Sequence, residues 1–271
     1  MRRITAVMLL VLLVVGYFGG KSPARFAPDP AKQTVVFAAL GDSITTAAGT
    51  CGPYFLCYDN SWATGTNVHS VYRRLQAANP KVNVQPVNLA EPGVGAAHLF
   101  PQAIEAMALH AGYVTILIGA NDACRWPMID ARDFRAEIDS GLDVLRRADP
   151  RPQLYLVSIP NVVQLWQVTR RRPLARLIWR LQECPSLMMR SPSAAAADAR
   201  RASIGDRIRE YNYELAGACS AYGRRCHWDG GRAHRVQFTM ELVGLDYFHP
   251  SIRGQRELAK TPLPADWLRP A

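Results

Sequence analysis

Three residues of this chain could do chemistry together if the fold joined them: a serine at 43, an acid at 246 and an imidazole at 249. A serine hydroxyl is a poor nucleophile until an adjacent base takes its proton. A carboxylate assists by holding the imidazole in one tautomer and steadying its charge. In Asp246-Tyr247-Phe248-His249 the two side chains converge if the stretch is a turn or a helical cap. Attack on an ester carbonyl also needs donors aimed at the developing oxyanion. The backbone N–H groups of Ser43 and Gly93 and the side-chain amide of Asn121 are the candidates, with Gly95 competing for the place of Gly93. Asp42 and Asp122 flank these groups and are expected to hydrogen-bond within tight turns. The reaction these parts predict is ester hydrolysis through an acyl-enzyme, with no metal, nucleotide or organic cofactor required.

Such groups must be positioned by elements. The runs at 34–38, 81–89, 113–118 and 154–159 are rich in β-branched and aromatic residues and read as strands. Between and after them, 71–77, 101–110, 134–145 and 194–219 have helical spacing, the last with Ile204, Ile208, Tyr211 and Leu215 on one stripe. Strands alternating with helices predict an α/β fold, a mostly parallel sheet covered on both faces. Ser43, Gly93 and Asn121 each fall just after a strand, where ligands of such sheets bind. Residues 161–191 are less regular, apolar and basic, and suit a lobe bordering the site. Within it, Leu165-Trp166 and Leu177-Ile178-Trp179 could line an acyl groove or fill the core, the commoner fate of such residues.

A chain of 271 residues, 49 % of them hydrophobic, can bury one sizeable core and fits one domain. Its charge of +10 would suit a nucleic acid, an anionic envelope polymer or a membrane surface. Nucleic acid is excluded as the expected partner, because the nearest basic cluster, Arg170, Arg171, Arg172, Arg176 and Arg180, is broken by Pro173 and mixed with Leu174 and Leu177. Residues 1–20 pair Arg2 and Arg3 with an unbroken apolar run at 7–15, the pattern of a signal peptide or an uncleaved amino-terminal membrane anchor. A polar linker at 21–32 then leads to a catalytic domain at 33–271. The expected location is extracytoplasmic. There Cys51 with Cys57, Cys124 with Cys184 and Cys219 with Cys226 can close as three disulfides, although six cysteines allow fifteen pairings. A zinc cluster from Cys219, Cys226, His227 and His234 is the disfavoured alternative.

Gly41-Asp42-Ser43, Asn88 with Gly93, Gly119-Ala120-Asn121-Asp122 and Asp246-Tyr247-Phe248-His249-Pro250 occur in this order. In these blocks the chain resembles the SGNH subgroup of the GDSL esterase/lipase family over roughly residues 35–258. Together with the export segment and six cysteines, Ser61-Trp62-Ala63-Thr64-Gly65 and Ser158-Ile159-Pro160 resemble an extracytoplasmic, actinobacterial branch with three disulfides. The resemblance implies a three-layer α/β/α sandwich with a five-stranded sheet, Ser43 as nucleophile, His249 as base, Asp246 as its acidic partner, and Ser43, Gly93 and Asn121 as the oxyanion hole. It implies a carboxylic-ester hydrolase acting on a lipid-like, short-chain acyl or O-acetyl ester, either small or attached to a polymer. An envelope O-acyltransferase using the same nucleophile, or a noncatalytic envelope polymer-binding protein, are the alternatives. A monomer is expected.

Overall fold

The computed structural model describes residues 29–52, 55–179, 184–188 and 191–267. The proposed export segment at 1–20 lies outside them. Five parallel strands make one sheet: β1 (Thr34–Gly41), β2 (Asn83–Asn88), β3 (Tyr113–Leu117), β4 (Gln153–Leu156) and β5 (Cys226–Trp228), in the order β2-β1-β3-β4-β5. β1 is flanked on both edges, and Phe37, Ala38, Ala39 and Leu40 are all buried, so its sequence runs apolar without alternation. β2 is an edge strand, which is how it tolerates Pro86.

Helices close both faces. α1 (Val71–Ala78) starts at Ser70, whose side chain accepts from the Arg73 N–H. α2 is Leu99–Ala108 and the short α3 is Ala120–Cys124. α4 (Ala131–Arg146) is capped by Asp130, which accepts from the Arg132 and Asp133 N–H groups. α5 (Val162–Thr169), α6 (Pro173–Ile178) and α7 (Pro185–Met188) lie in the irregular region, and α8 (Ala194–Tyr222) and α9 (Ile252–Ala259) complete the chain. α2 packs on α4 and α4 on α8 over one face of the sheet. On the other, Trp267 sets its ring edge against Phe37, Tyr113 and Tyr155. Its carbonyl accepts from Asn79 Nδ2 at the end of α1.

The expected strands and helices are present with shifted ends: the fourth strand stops at Leu156, and the long helix runs on to Tyr222. All three disulfides join the expected partners. Cys219–Cys226 ties the end of α8 to β5, so these sulfurs are not zinc ligands; His227 faces Asp266 and His234 bonds the Ile159 carbonyl. Cys124–Cys184 fastens α3 to the region containing α7. Three disulfides suit an oxidising, extracellular environment.

Candidate active site

At the carboxyl end of β1 the chain must turn within one residue, and Gly41 makes this possible. A Cβ there would lie 2.2 Å from the Leu117 carbonyl oxygen, and its φ is +147°. Gln102 of α2 grips the turn from behind: its Oε1 accepts from the Gly41 N–H at 2.8 Å and its Nε2 donates to the Gly41 carbonyl at 3.0 Å. Asp42 Oδ1 accepts from the Ile44 N–H at 2.9 Å. Below the turn, Ser61 Oγ donates to the Thr45 carbonyl and Trp62 Nε1 to Thr45 Oγ1. Gln255 of α9 receives the Trp62 N–H and donates to the Ile44 carbonyl. The backbone around Ser43 is thereby held from three separate parts of the chain.

The last loop brings the imidazole to it. Gly244 N–H donates to the His249 carbonyl at 2.7 Å, and Val243 bridges to Pro250, closing a tight turn in which Tyr247 takes a left-handed φ of +59°. Within it Asp246 Oδ1 accepts from the Phe248 and His249 N–H groups, both at 3.0 Å, while Oδ2 lies 2.8 Å from His249 Nδ1. His249 Nε2 lies 2.9 Å from Ser43 Oγ. The carboxylate on Nδ1 places the ring proton there, leaving Nε2 to accept from the serine. Ser43, His249 and Asp246 are 7, 6 and 0 % exposed, so the chain of bonds is sheltered but reachable at the serine. Burial alone would push the Asp246 carboxyl up, but the hydrogen bond and charge of His249, with the two backbone donors, hold it below the usual carboxylate range.

The two other expected donors lie between β2 and α2 and in α3. Gly93 has a φ of +77° and faces open space, whereas a Cβ on Gly95 would meet Asp122 Oδ1 at 2.2 Å. Gly95 is therefore closed in by a carboxylate, and Gly93 is the glycine that borders solvent. Asn121, in the first turn of α3, uses Nδ2 to donate to the Val94 carbonyl at 2.9 Å, and an amide has a second hydrogen to give. Arg125 Nη2 holds the Gly93 carbonyl. Asn88 is a brace of the first block, donating to the Thr45 carbonyl and to Thr64 Oγ1.

The two flanking acids hydrogen-bond to nearby backbone N–H groups, Asp42 in the turn after β1 and Asp122 within α3, with an electrostatic cost. Asp122 Oδ2 accepts from the Ala96 N–H at 2.9 Å, and its burial raises its carboxyl. Asp42 is fully buried, its Oδ2 has no hydrogen-bond partner among the described residues, and burial raises it to about 7 against the pull of the Ile44 N–H and of His249. Among the described residues no group of three His, Cys, Asp or Glu side chains could hold a metal ion.

Sequence reading missed Gln102 and Gln255, and it offered Trp179 as groove lining or core without its bond to the histidine turn. Each glutamine sits on the inward stripe of a helix among Leu99, Ala103 and Ala106, or Leu258 and Ala259, where a polar side chain has to find a buried partner. Trp179 is buried, donates Nε1 to the Tyr247 carbonyl at 2.8 Å, and meets Phe248 edge-on at 5.5 Å. It braces the histidine turn, while Leu177 beside it is exposed and fills no core.

A parallel α/β/α sandwich with this arrangement at its carboxyl edge is an ester hydrolase of the GDSL type. The pattern of the GDSL-like Lipase/Acylhydrolase family matches residues 39–257, and the chain belongs to that family. Solved structures agree in fold. A lipase from a goat rumen metagenome is similar at 16 % identity with a TM-score of 0.53, covering 84 % of this chain and 95 % of its own. A variant of an acetyl-xylooligosaccharide esterase from Geobacillus is similar at 16 % and 0.52, covering 86 and 94 %. A member of the lipolytic G-D-S-L family from Veillonella parvula is similar at 15 % and 0.50, covering 84 and 95 %. No curated protein matches the chain significantly.

Proposed function

We propose that the protein hydrolyses carboxylic esters through an acyl-enzyme on Ser43. The observation that carries this reading is the continuous hydrogen-bonded chain from Ser43 Oγ through His249 to Asp246. His249 Nε2 takes the Ser43 proton as Oγ attacks the ester carbonyl. The negative charge on the carbonyl oxygen is received by the N–H groups of Ser43 and Gly93 and by the second amide hydrogen of Asn121. The proton on Nε2 passes to the leaving alcohol as the C–O bond breaks. Water then gives a proton to Nε2, attacks the acyl carbon and releases the acid, and Ser43 regains its hydrogen. Asp246 stays ionised throughout, because its low carboxyl keeps its charge beside the imidazolium.

The acyl group is a lipid-like chain, a short acyl or an acetyl, and the similar structures include both a lipase and an acetyl-ester hydrolase. Residues 1–20 export the chain or anchor it, and 33–271 form one hydrolase domain. Initial rates on matched p-nitrophenyl esters from acetyl to long acyl, with the oxidised protein and its Ser43→Ala variant, test the reading. A Ser43→Ala loss of roughly 10⁶-fold in kcat is expected, as when the nucleophile leaves a triad acting as a unit. Equal rates in the two proteins would end the assignment. A peak at acetyl marks a deacetylase, and a peak at longer chains marks a lipase-like groove.

A further inference from the structure

Two stretches of this chain treat their arginines differently. Along α8, Arg201, Arg207 and Arg209 each face a carboxylate one turn away, on Asp198, Glu210 and Asp206. Residues 161–179, in contrast, carry four arginines and no acid. Arg170, Arg171, Arg172 and Arg176 are all exposed, and none joins an ion pair among the described residues.

Two large apolar side chains stand beside them. α6 begins with Pro173 at its first turn and turns Ala175 and Trp179, four residues apart, into the protein. Leu174 and Leu177, three apart, consequently lie on the outward side, 53 and 54 % exposed. Exposed leucines beside cations that have no carboxylate partner among the described residues are a poor surface for water alone, but they match a bilayer with anionic headgroups. There the leucines enter the acyl boundary and the guanidinium groups meet phosphate. The net charge of +10 favours the same encounter at longer range.

From this juxtaposition we infer that α6 and the arginines before it are a docking surface for an anionic lipid bilayer. The surface is not remote from the chemistry. Trp179, one residue beyond α6, is bonded to the Tyr247 carbonyl and packed on Phe248, next to His249. A bilayer seated on the outward side of α6 is therefore separated from the histidine turn by that one short helix and Trp179. Docking is independent of which residue is the nucleophile, so binding is read separately from turnover.

The test is co-sedimentation of the full chain with phosphatidylcholine vesicles and with mixed phosphatidylcholine and phosphatidylglycerol vesicles, at low and high salt. Two variants are compared, Leu174→Ser with Leu177→Ser and Arg171→Glu with Arg172→Glu, each with its thermal unfolding midpoint. Expected are a salt-sensitive preference for the mixed vesicles and its loss in the charge-reversed protein, a weakening of about tenfold or more. Binding of the serine variant to the mixed vesicles should weaken roughly tenfold. If one variant fails to fold, the other still decides. Four results overturn the proposal: no binding of the parent chain to the mixed vesicles; equal binding of parent and variants, which assigns adhesion to another segment such as the apolar residues 7–15; a parent dimer that the serine variant dissociates, which assigns the leucines to self-association; or polygalacturonate binding that needs the arginines while vesicle binding does not.

Discussion

Residues 39–50 and residues 161–179 border the same site and are built on opposite terms. Around Ser43 the polar groups are buried and gripped: Asp42, Thr45 and Thr46 are inaccessible, and Gln102, Gln255, Ser61 and Asn88 reach in from distant elements to hold the backbone. In 161–179 the arginines, Leu174 and Leu177 point outward, while Val162, Leu165, Ala175, Trp179 and the Thr169 hydroxyl on the Leu165 carbonyl anchor the segment inward. The difference separates two tasks. Chemistry needs atoms held within fractions of an ångström, which a buried network provides. Meeting a substrate needs surface, and surface can change without disturbing the reacting atoms.

After loss of Ser43 itself, the largest effect should come from breaking the buried side at its charge. Asp246→Asn keeps the size but leaves the imidazole without its orienting carboxylate, and kcat should fall by about 10⁴-fold, read on a short p-nitrophenyl ester. A loss of only a few-fold would mean that a neighbouring group can orient His249.

Asp42→Asn sharpens the comparison through pH. The folded carboxyl holds its proton up to about 7, against 3.8 ordinarily, so the folded state binds more protons than the unfolded one between those values. Stability is therefore highest at the acid end of that window, falls as pH rises from about 4 to about 7, and levels off above, by up to about 4 kcal/mol. The amide variant removes that slope, which unfolding midpoints across the window would show; an unchanged slope would place it elsewhere. Asp246, lowered by its partners, acts with the opposite sign and gives up its stabilisation only as pH falls below the ordinary carboxylate range.

Asn121→Ala should lower kcat by about 10²–10³-fold with little change in KM, since an oxyanion donor acts on the transition state. An effect on KM alone would make Asn121 a binding residue. The smallest effect belongs to the outer region: Leu174→Ser with Leu177→Ser should move unfolding stability by no more than about 0.5 kcal/mol. A larger loss would show that these leucines pack in solution.

Much of this was readable from residue order because it depends on local pattern. β1 announces itself by an unbroken apolar run, and Asp246 and His249 are three residues apart, so one turn suffices to join them. The grip of Gln102 on Gly41 spans 61 residues and that of Gln255 on Ile44 spans 211, and no local pattern encodes a pairing at such range. β5 has three half-buried residues, too few for any periodicity to register. The division within 161–179 was equally hidden: Trp179 and Leu177 are alike in hydrophobicity, and only the facing of a short helix sends one inward and the other out.

Ser43 and His249 are 206 residues apart, yet they are joined by a single hydrogen bond at the rim of the sheet. The histidine turn is kept in place by the Val243–Pro250 bridge, the Gly244 N–H and Trp179. Such a turn can open by itself while sheet and helices persist, because local openings need less free energy than global unfolding. Turnover therefore reports on the integrity of that turn. On heating, loss of catalysis ahead of the change in backbone signal would show that the turn opens on its own, and lifetime would then be set by that loop before the core melts.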